Sequence, residues 1–346
     1  MPRRGYNCLG GGEGCHATVL TVDEDSADIA ETPSMSAQRR HIRLDFTDFY
    51  PGYPKTNNFF YHLLSERFQV DICDNPDFLI YSHEGDHHKL YRCPKIYFTV
   101  ESFRPDFREC DYAFTCFNLD NPRHLRLPLY VLYGTAESLR KDHLDWEKVM
   151  ASKTRFCSFV VSNPNLKKTR HRIDFFNRLS KYQPVDSGGK VLNNLGYTIP
   201  DYSAGKLEFL KPYKFNISFE NRSLPGYTTE KIFEAMQANC LPIYWGNPEI
   251  GREFNPKSFL NYFDFPNEDA LIEKIIELDQ DDTKYLEYLR QPCFPNNTPN
   301  EFFSHDRLLD QFEKIFSTAI QPVGERRRFF QLGRWTLARR NKVSRA

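Results

Sequence analysis

The segment Tyr213-Lys-Phe-Asn-Ile-Ser-Phe-Glu-Asn-Arg-Ser-Leu-Pro-Gly-Tyr-Thr-Thr-Glu-Lys-Ile-Phe-Glu-Ala-Met236, followed closely by Leu241-Pro-Ile-Tyr-Trp-Gly-Asn-Pro248, changes its periodicity twice. The aromatic and apolar run Tyr213–Phe219 reads as a strand, and Pro225-Gly226 marks a polar loop. Ile232, Phe233, Ala235 and Met236 then recur at helical spacing over about 229–239, and Leu241–Trp245 reads as the next strand. Strand, loop, helix and strand in that order form a βαβ unit on a parallel sheet. Thr228 or Thr229 can cap the helix, which puts Glu230 and Lys231 in its first turn. A helix start with free N–H groups, a positive dipole end and a lysine suits an anion such as phosphate. A neighbouring carboxylate accepts hydrogen bonds from vicinal hydroxyls, as on ribose. A glutamate at a helix start also serves as a mere dipole partner, and these residues alone leave both readings open.

The same alternation extends in both directions. Strands are expected at His41–Phe46, Val70–Cys73, Phe78–Tyr81, Lys95–Val100 and Tyr112–Phe117, with a helix at 56–68. The charged stretch Ala136–Lys153 reads as a connector. A second series follows: strand Cys157–Val161, helix 168–181, the quoted unit, strand Phe259–Phe263 and helices at 268–279 and 283–290. A last helix over Asn300–Ala319 carries Phe302, Phe303, Leu308, Leu309, Phe312, Ile315 and Phe316 at helical spacing, so one face is buried. The chain of 346 residues thus divides into an amino-terminal α/β domain, 39–150, and a second one, 151–320. Residues 1–38, with Gly10-Gly-Gly12 and an acidic patch, have no periodicity and are expected to be disordered, with Met35 a candidate start of translation.

Composition narrows the class. Lys+Arg and Asp+Glu both number 46, which argues against a protein built to hold a nucleic-acid backbone over its whole surface. The apolar runs are too short to span a bilayer, and acidic residues occupy the place of a secretory apolar region, so a cytoplasmic location is expected. Nine cysteines without CxxC spacing are expected to be reduced thiols, and Cys8, Cys15 and His16 lack a fourth partner for a metal. Eight Lys/Arg against Glu325 give 325–346 a net charge of +7, with Phe329, Phe330 and Trp335 between them. That composition suits peripheral contact with an anionic membrane; a solvated basic tail is the other reading.

In open α/β domains ligands bind beyond the carboxyl ends of strands. By that rule Glu101, directly after Lys95–Val100, is a candidate carboxylate facing a cleft, its alternative being a surface cap for the next turn. The triplet Asp23-Glu-Asp25, of the kind that holds a cation in metal-dependent sugar transferases, lies in the leading segment and follows no strand.

Phe219–Asn221, Gly226–Lys231 and Pro242–Gly246, in that succession, resemble the α1,3/α1,4-fucosyltransferases of glycosyltransferase family 10, bacterial-type branch. The resemblance extends to Phe98–Phe107, Leu125–Tyr130, Phe159–Asn163 and Phe254–Phe259, covering about 39–320. It implies a GT-B architecture of two Rossmann-like domains, the amino-terminal one receiving the acceptor and the carboxyl-terminal one holding GDP-fucose. It further implies inverting transfer to a lactosamine-type glycan. Glu101 matches the general base, Glu230 the residue on the ribose hydroxyls and Lys231 a diphosphate-binding lysine. Asn221 and Tyr227 match residues lining the donor pocket, and Arg172 a further basic donor-site position. A phosphate-binding arginine of some relatives stands here as Leu192, with Lys190 the nearest substitute charge. No metal cofactor is obligatory in this scheme, and Mn2+ or Mg2+ stimulates at most. A transferase of another GDP-sugar and a non-catalytic carbohydrate-binding relative are the alternatives.

Overall fold

The computed structural model describes residues 39–163, 166–199 and 204–325. What the sequence leads one to expect of 1–38 and of the basic residues 326–346 therefore lies outside the described residues. The first half contains β1 (His41–Thr47), α1 (Phe59–Ser65), β2 (Gln69–Ile72), β3 (Phe78–Tyr81), β4 (Lys95–Thr99), β5 (Tyr112–Thr115) and β6 (His124–Arg126). After α2 (Trp146–Ser152) come β7 (Arg155–Phe159), α3 (Leu166–Leu179), β8 (Val185–Ser187), α4 (Ala204–Leu210), β9 (Tyr213–Phe219), α5 (Glu230–Gln237) and β10 (Leu241–Trp245). The chain then runs through β11 (Leu260–Asn261), α6 (Glu268–Gln280), α7 (Asp282–Leu289) and α8 (His305–Ser317).

Two parallel sheets result, ordered β2-β1-β3-β4-β5-β6 and β11-β10-β9-β7-β8. Both reverse direction once, between β1 and β3 in the first and between β7 and β9 in the second. Such switch points open a crevice at the carboxyl ends of the strands. Loops from those ends of the two sheets meet, Asn118 after β5 donating to Glu249 after β10 at 2.8 Å. This is the GT-B arrangement. Central strands are apolar on both faces, as in β4, whose five residues are all buried.

Polar caps set several boundaries that apolar spacing leaves open. Asn58 accepts from the Tyr61 amide at 3.0 Å and starts α1 three residues later than its apolar pattern suggests. Ser304 caps α8 by accepting from the Arg307 amide, so 300–319 splits into a short turn, Glu301–Phe303, and the helix. The expected strand Phe259–Phe263 shrinks to Leu260–Asn261 because Asn261 caps a turn at Tyr262–Asp264. β6, β8 and α4 are too short or too polar to announce themselves in the sequence. The connector 136–153 contains α2, capped by Asp145.

One helix sits in the other half from its place in the chain. α8 packs on the first sheet: Phe312 lies 4.8 Å from Phe114, and Phe316 lies 4.6 Å from Phe78 and 5.2 Å from Phe68, centroid to centroid. Five apolar side chains of α8 are buried there, each worth ~1.5–3 kcal/mol of transfer free energy. The segment that follows stays with it, since Val323 is buried and its amide donates to Asp111. The sequence places 305–320 with the second domain, and the structure seats 305–325 on the first sheet. One cluster crosses between the halves, packing Ile232, Phe233 and Met236 of α5 with Phe60, Phe114 and Tyr130, while the second sheet keeps a core of its own around Phe159, Phe215 and Ile243.

Candidate active site

β9 ends at the second sheet's switch point, and the two residues after it are Glu220 and Asn221. Glu220 is fully buried. Its carboxylate accepts from the Thr229 amide and hydroxyl, both at 2.7 Å, and from Lys231 Nζ at 3.2 Å. Thr229 occupies the N-cap position of α5 but spends its hydroxyl on Glu220, leaving the helix without a side-chain cap. Thr228 does not cap either, since its hydroxyl donates to Glu253 at 3.1 Å. The start of α5 is thus met by the buried Glu220 carboxylate, with Lys231 beside it. Lys231 Nζ also lies 3.3 Å from Glu230 and 2.8 Å from the Thr229 hydroxyl.

Charges this close control one another. Burial raises the Glu220 carboxyl above its ordinary value against the pull of Lys231. Burial pushes Glu230 the same way, but the charges of Lys231 and Lys206 and the bond from its own amide bring it below the ordinary value. Burial lowers Lys231, and the two carboxylates more than reverse this, so the ammonium is held charged. Buried Arg172 of α3 donates from Nη1 to Asn221 Oδ1 at 2.8 Å, which fixes the amide at the end of β9. Tyr227 is buried at the centre. Burial raises its phenol, Lys231 opposes this, and Glu220, Glu101 and Glu230 raise it further.

The halves converge next to Tyr227, where the Gly226 backbone accepts from Arg126 Nη2 of the first domain at 2.8 Å. Glu101 follows β4, half-buried, its amide donating to Thr99 Oγ1 at 3.1 Å. His83, after β3, contacts the same hydroxyl through Nδ1 at 3.1 Å and packs 4.9 Å from Phe103. The structure so brings together Glu230, Lys231, Tyr227, Asn221 and Arg172, with Glu101 opposite. Lys190 is exposed, on the loop after β8 at the same end of its sheet. Leu192, at φ +53°, sits in an exposed turn beyond it. Among the described residues no group of His, Cys, Asp and Glu could hold a metal ion, and no helix is long and apolar enough to cross a membrane.

The sequence reading missed Glu220, His83 and the triplet Asp279-Gln-Asp281. The last is structural: Asp279 Oδ2 accepts from Tyr182 and Gln183, and Asp281 caps α7. Glu220 carried a signal, since a carboxylate directly after a central strand satisfies the rule that selected Glu101.

Over residues 150–293 the sequence matches the family described as "Glycosyltransferase family 10 (fucosyltransferase) C-term", and over 44–133 the "Alpha-(1,3)-fucosyltransferase FucT N-terminal domain". The chain belongs to glycosyltransferase family 10. It is 35% identical over 304 residues to the alpha-(1,3)-fucosyltransferase FucT of Helicobacter pylori, an alignment covering 77% of this chain and 62% of that protein. The chain thus spans about three fifths of the length of that relative. The crystal structure of an α1,3-fucosyltransferase with GDP-fucose superposes with a TM-score of 0.69 at 30% identity, covering 86% of this chain and 96% of that one. The α1,3-fucosyltransferase with GDP also gives 0.69 at 30% identity, covering 85% and 95%. These family 10 structures share the two-sheet frame, and their bound nucleotides belong to them.

Proposed function

We propose that this family 10 chain transfers L-fucose from GDP-fucose to a GlcNAc hydroxyl of a lactosamine-type glycan, in an α1,3 or α1,4 linkage and with inversion. The observation that carries the reading is the meeting of the two halves at Gly226–Tyr227, where the second domain's backbone rests on Cys116 O and Arg126 of the first, beside the buried cluster of Glu220, Glu230, Lys231 and Arg172. Donor-site chemistry fits a nucleoside diphosphate. Glu230 accepts from the ribose hydroxyls, while Lys231, Arg172 and the α5 N–H groups, with Lys190 at the rim, face the diphosphate. Asn221 and Tyr227 line the pocket.

In the transfer step the acceptor hydroxyl attacks the anomeric carbon and the bond from that carbon to the phosphate oxygen breaks. The electron pair leaves on GDP, where Lys231 and the helix end stabilise it. Glu101 takes the hydroxyl proton as the new bond forms, a contribution typically of ~10²–10⁴-fold. A single displacement turns the β-linked donor into an α-linked product. The scheme places cationic side chains at the leaving group, so a chelator is expected to leave part of the activity, with added Mn2+ or Mg2+ stimulating at most. The same reading places the protein in the cytoplasm, its basic tail against an anionic membrane.

Incubation of the chain with GDP-fucose and type 1 or type 2 lactosamine acceptors tests this directly, with α1,3- or α1,4-fucosylated product expected. Turnover of another GDP-sugar with none of GDP-fucose overturns the donor assignment. GDP binding without turnover of any sugar nucleotide leaves a non-catalytic relative.

A further inference from the structure

Arg126, the last residue of β6, lies in the first domain, but its guanidinium makes two of its three hydrogen bonds to the second. Its Nε donates to Cys116 O at 2.9 Å, and Nη2 donates to Gly226 O at 2.8 Å and to Glu253 Oε1 at 2.6 Å. The ion pair is buried, with side-chain exposures of 9% and 2%. The same Oε1 accepts from Asn247 Nδ2 at 2.7 Å and from the Thr228 hydroxyl at 3.1 Å. Asn247 Oδ1 in turn accepts from the Gly226 amide at 3.0 Å. Gly226 has φ +83°, and a Cβ there would lie 2.6 Å from Cys116 O and 3.2 Å from Arg126 Nε, so its backbone rests directly on the first domain.

Both ends of Tyr227 are therefore held by one buried network, through Gly226 on one side and Thr228 on the other. The next residues, Thr229 to Lys231, carry the donor-site charges. Glu101 leaves the neighbouring strand β4, which is paired with β5, whose outgoing chain carries Cys116. We infer that Arg126 is a positioning residue: with Glu253 and Asn247 it clamps the Gly226–Thr228 loop to the acceptor domain and sets the register between Glu101 and the donor. This rests on the function proposed above. A guanidinium is needed because its planar fork serves three acceptors at once, which a lysine ammonium on a flexible stem does not reproduce. Misplacement of reacting groups by about 1 Å costs up to ~10²-fold.

The test compares fucosyl transfer with hydrolysis of GDP-fucose in Arg126→Lys and Thr228→Val, both normalised to sites counted by GDP titration. Water reaches the anomeric carbon without a fixed acceptor domain, so hydrolysis depends less on the register. Arg126→Lys is expected to lower transfer kcat about 10-fold relative to hydrolysis. Thr228→Val, which removes the hydroxyl that donates to Glu253 and accepts from Asn247, is expected to lower the ratio about threefold. In the same samples, amide exchange of 226–231 should accelerate in Arg126→Lys while the β9 strand keeps its protection. Faster exchange with an unchanged ratio overturns the positioning role and leaves a structural one. Unchanged exchange overturns the clamp itself. Should Arg126→Lys not fold, the ratio and the exchange in Thr228→Val decide on the same terms. A wild-type chain without fucosyl transfer overturns the proposed function instead, and the exchange measurement then decides whether the clamp exists.

Discussion

The two halves wind their sheets alike and equip the strand ends differently. At the second switch point the ends are dense with buried charge: Glu220, Glu230, Arg172 and, nearly so, Lys231. Around the first they carry rings and the half-buried Glu101, while Asp48, buried after β1, is spent within the domain on the amides of His87 and His88 and on the His88 ring. Tyr50 is 58% and Phe103 49% exposed, and Phe49 stacks on Tyr53 at 4.0 Å. Buried charges must be paired and fixed in advance, which suits a ligand that brings constant charge to one place, as a nucleoside diphosphate does. Exposed rings and one carboxylate suit a neutral polyhydroxylated acceptor, whose recognition needs apolar faces and one proton acceptor. Under the proposed function the contrast separates residues assigned to the donor from the one assigned to the chemistry.

Glu101→Gln is the sharpest way to break this separation, and the largest effect is expected there. The amide is nearly isosteric and cannot take the proton, so kcat should fall ~10²-fold or more with GDP affinity within about threefold of wild type. Turnover within about threefold of wild type would remove Glu101 from the mechanism. Lys231→Ala and Glu230→Ala probe the other half. Each removes a charge-assisted hydrogen bond of ~1.5–3 kcal/mol, so GDP and GDP-fucose should both bind roughly 10- to 150-fold more weakly by calorimetry. Unchanged GDP affinity in both variants would break the contrast on the donor side.

The halves also differ in how far the sequence alone discloses them. Helix α5 was legible because its apolar spacing, its Pro-Gly loop and its charged first turn lie within one short run. What closes that site was not: Glu220 meets Thr229 nine residues on, and the pairing appears only when β9 and α5 lie side by side. Arg126 and Glu253 are 127 residues apart, one on β6 and the other in a turn beyond β10, so no local pattern signals their ion pair. α8 shows the limit from another direction. Its amphipathic face was plain, but periodicity states that a face is buried and not against which sheet. Glu101 was legible by position after a strand, while His83 beside it depends on a loop returning to Thr99.

A smaller effect separates the halves by pH. His124 on β6 pairs with Thr115 Oγ1 at 2.8 Å, and burial, with Arg126 and Arg307 nearby, pushes its imidazole down to about 4. The native state thus holds His124 neutral while an unfolded chain protonates it near its ordinary value of about 6.5. The sign follows: this stability is present above about 6.5 and is lost as pH falls toward the native value, ~2 kcal/mol by pH 5. Urea unfolding of wild type and His124→Gln at pH 7 and pH 5 should show the smaller loss in the variant. Glu220 works in the opposite direction, since its raised carboxyl gives stability that is lost as pH rises through the folded value. Equal losses in wild type and His124→Gln would move the acid sensitivity away from the acceptor half.

The least effect on catalysis is expected from the tail, and that makes it a test of whether the two halves suffice. The place of the cut follows from the packing. Val323 is buried with its amide on Asp111, and a Cβ at Gly324 would lie 2.8 Å from Tyr91 O, so the chain is seated on the first domain to that point. Removing 326–346 keeps this seat and takes away eight basic residues. Activity on a soluble oligosaccharide should stay within about twofold, because no residue of the site is touched, while association with vesicles containing anionic lipid should fall at low salt, each charge near the surface being worth ~1 kcal/mol. Full-length protein that ignores such vesicles would overturn the membrane reading and leave a solvated basic tail. A truncated chain that unfolds would show that the aromatic residues of 329–335 pack on the body of the protein, and the first domain would then need a third piece that the second does not.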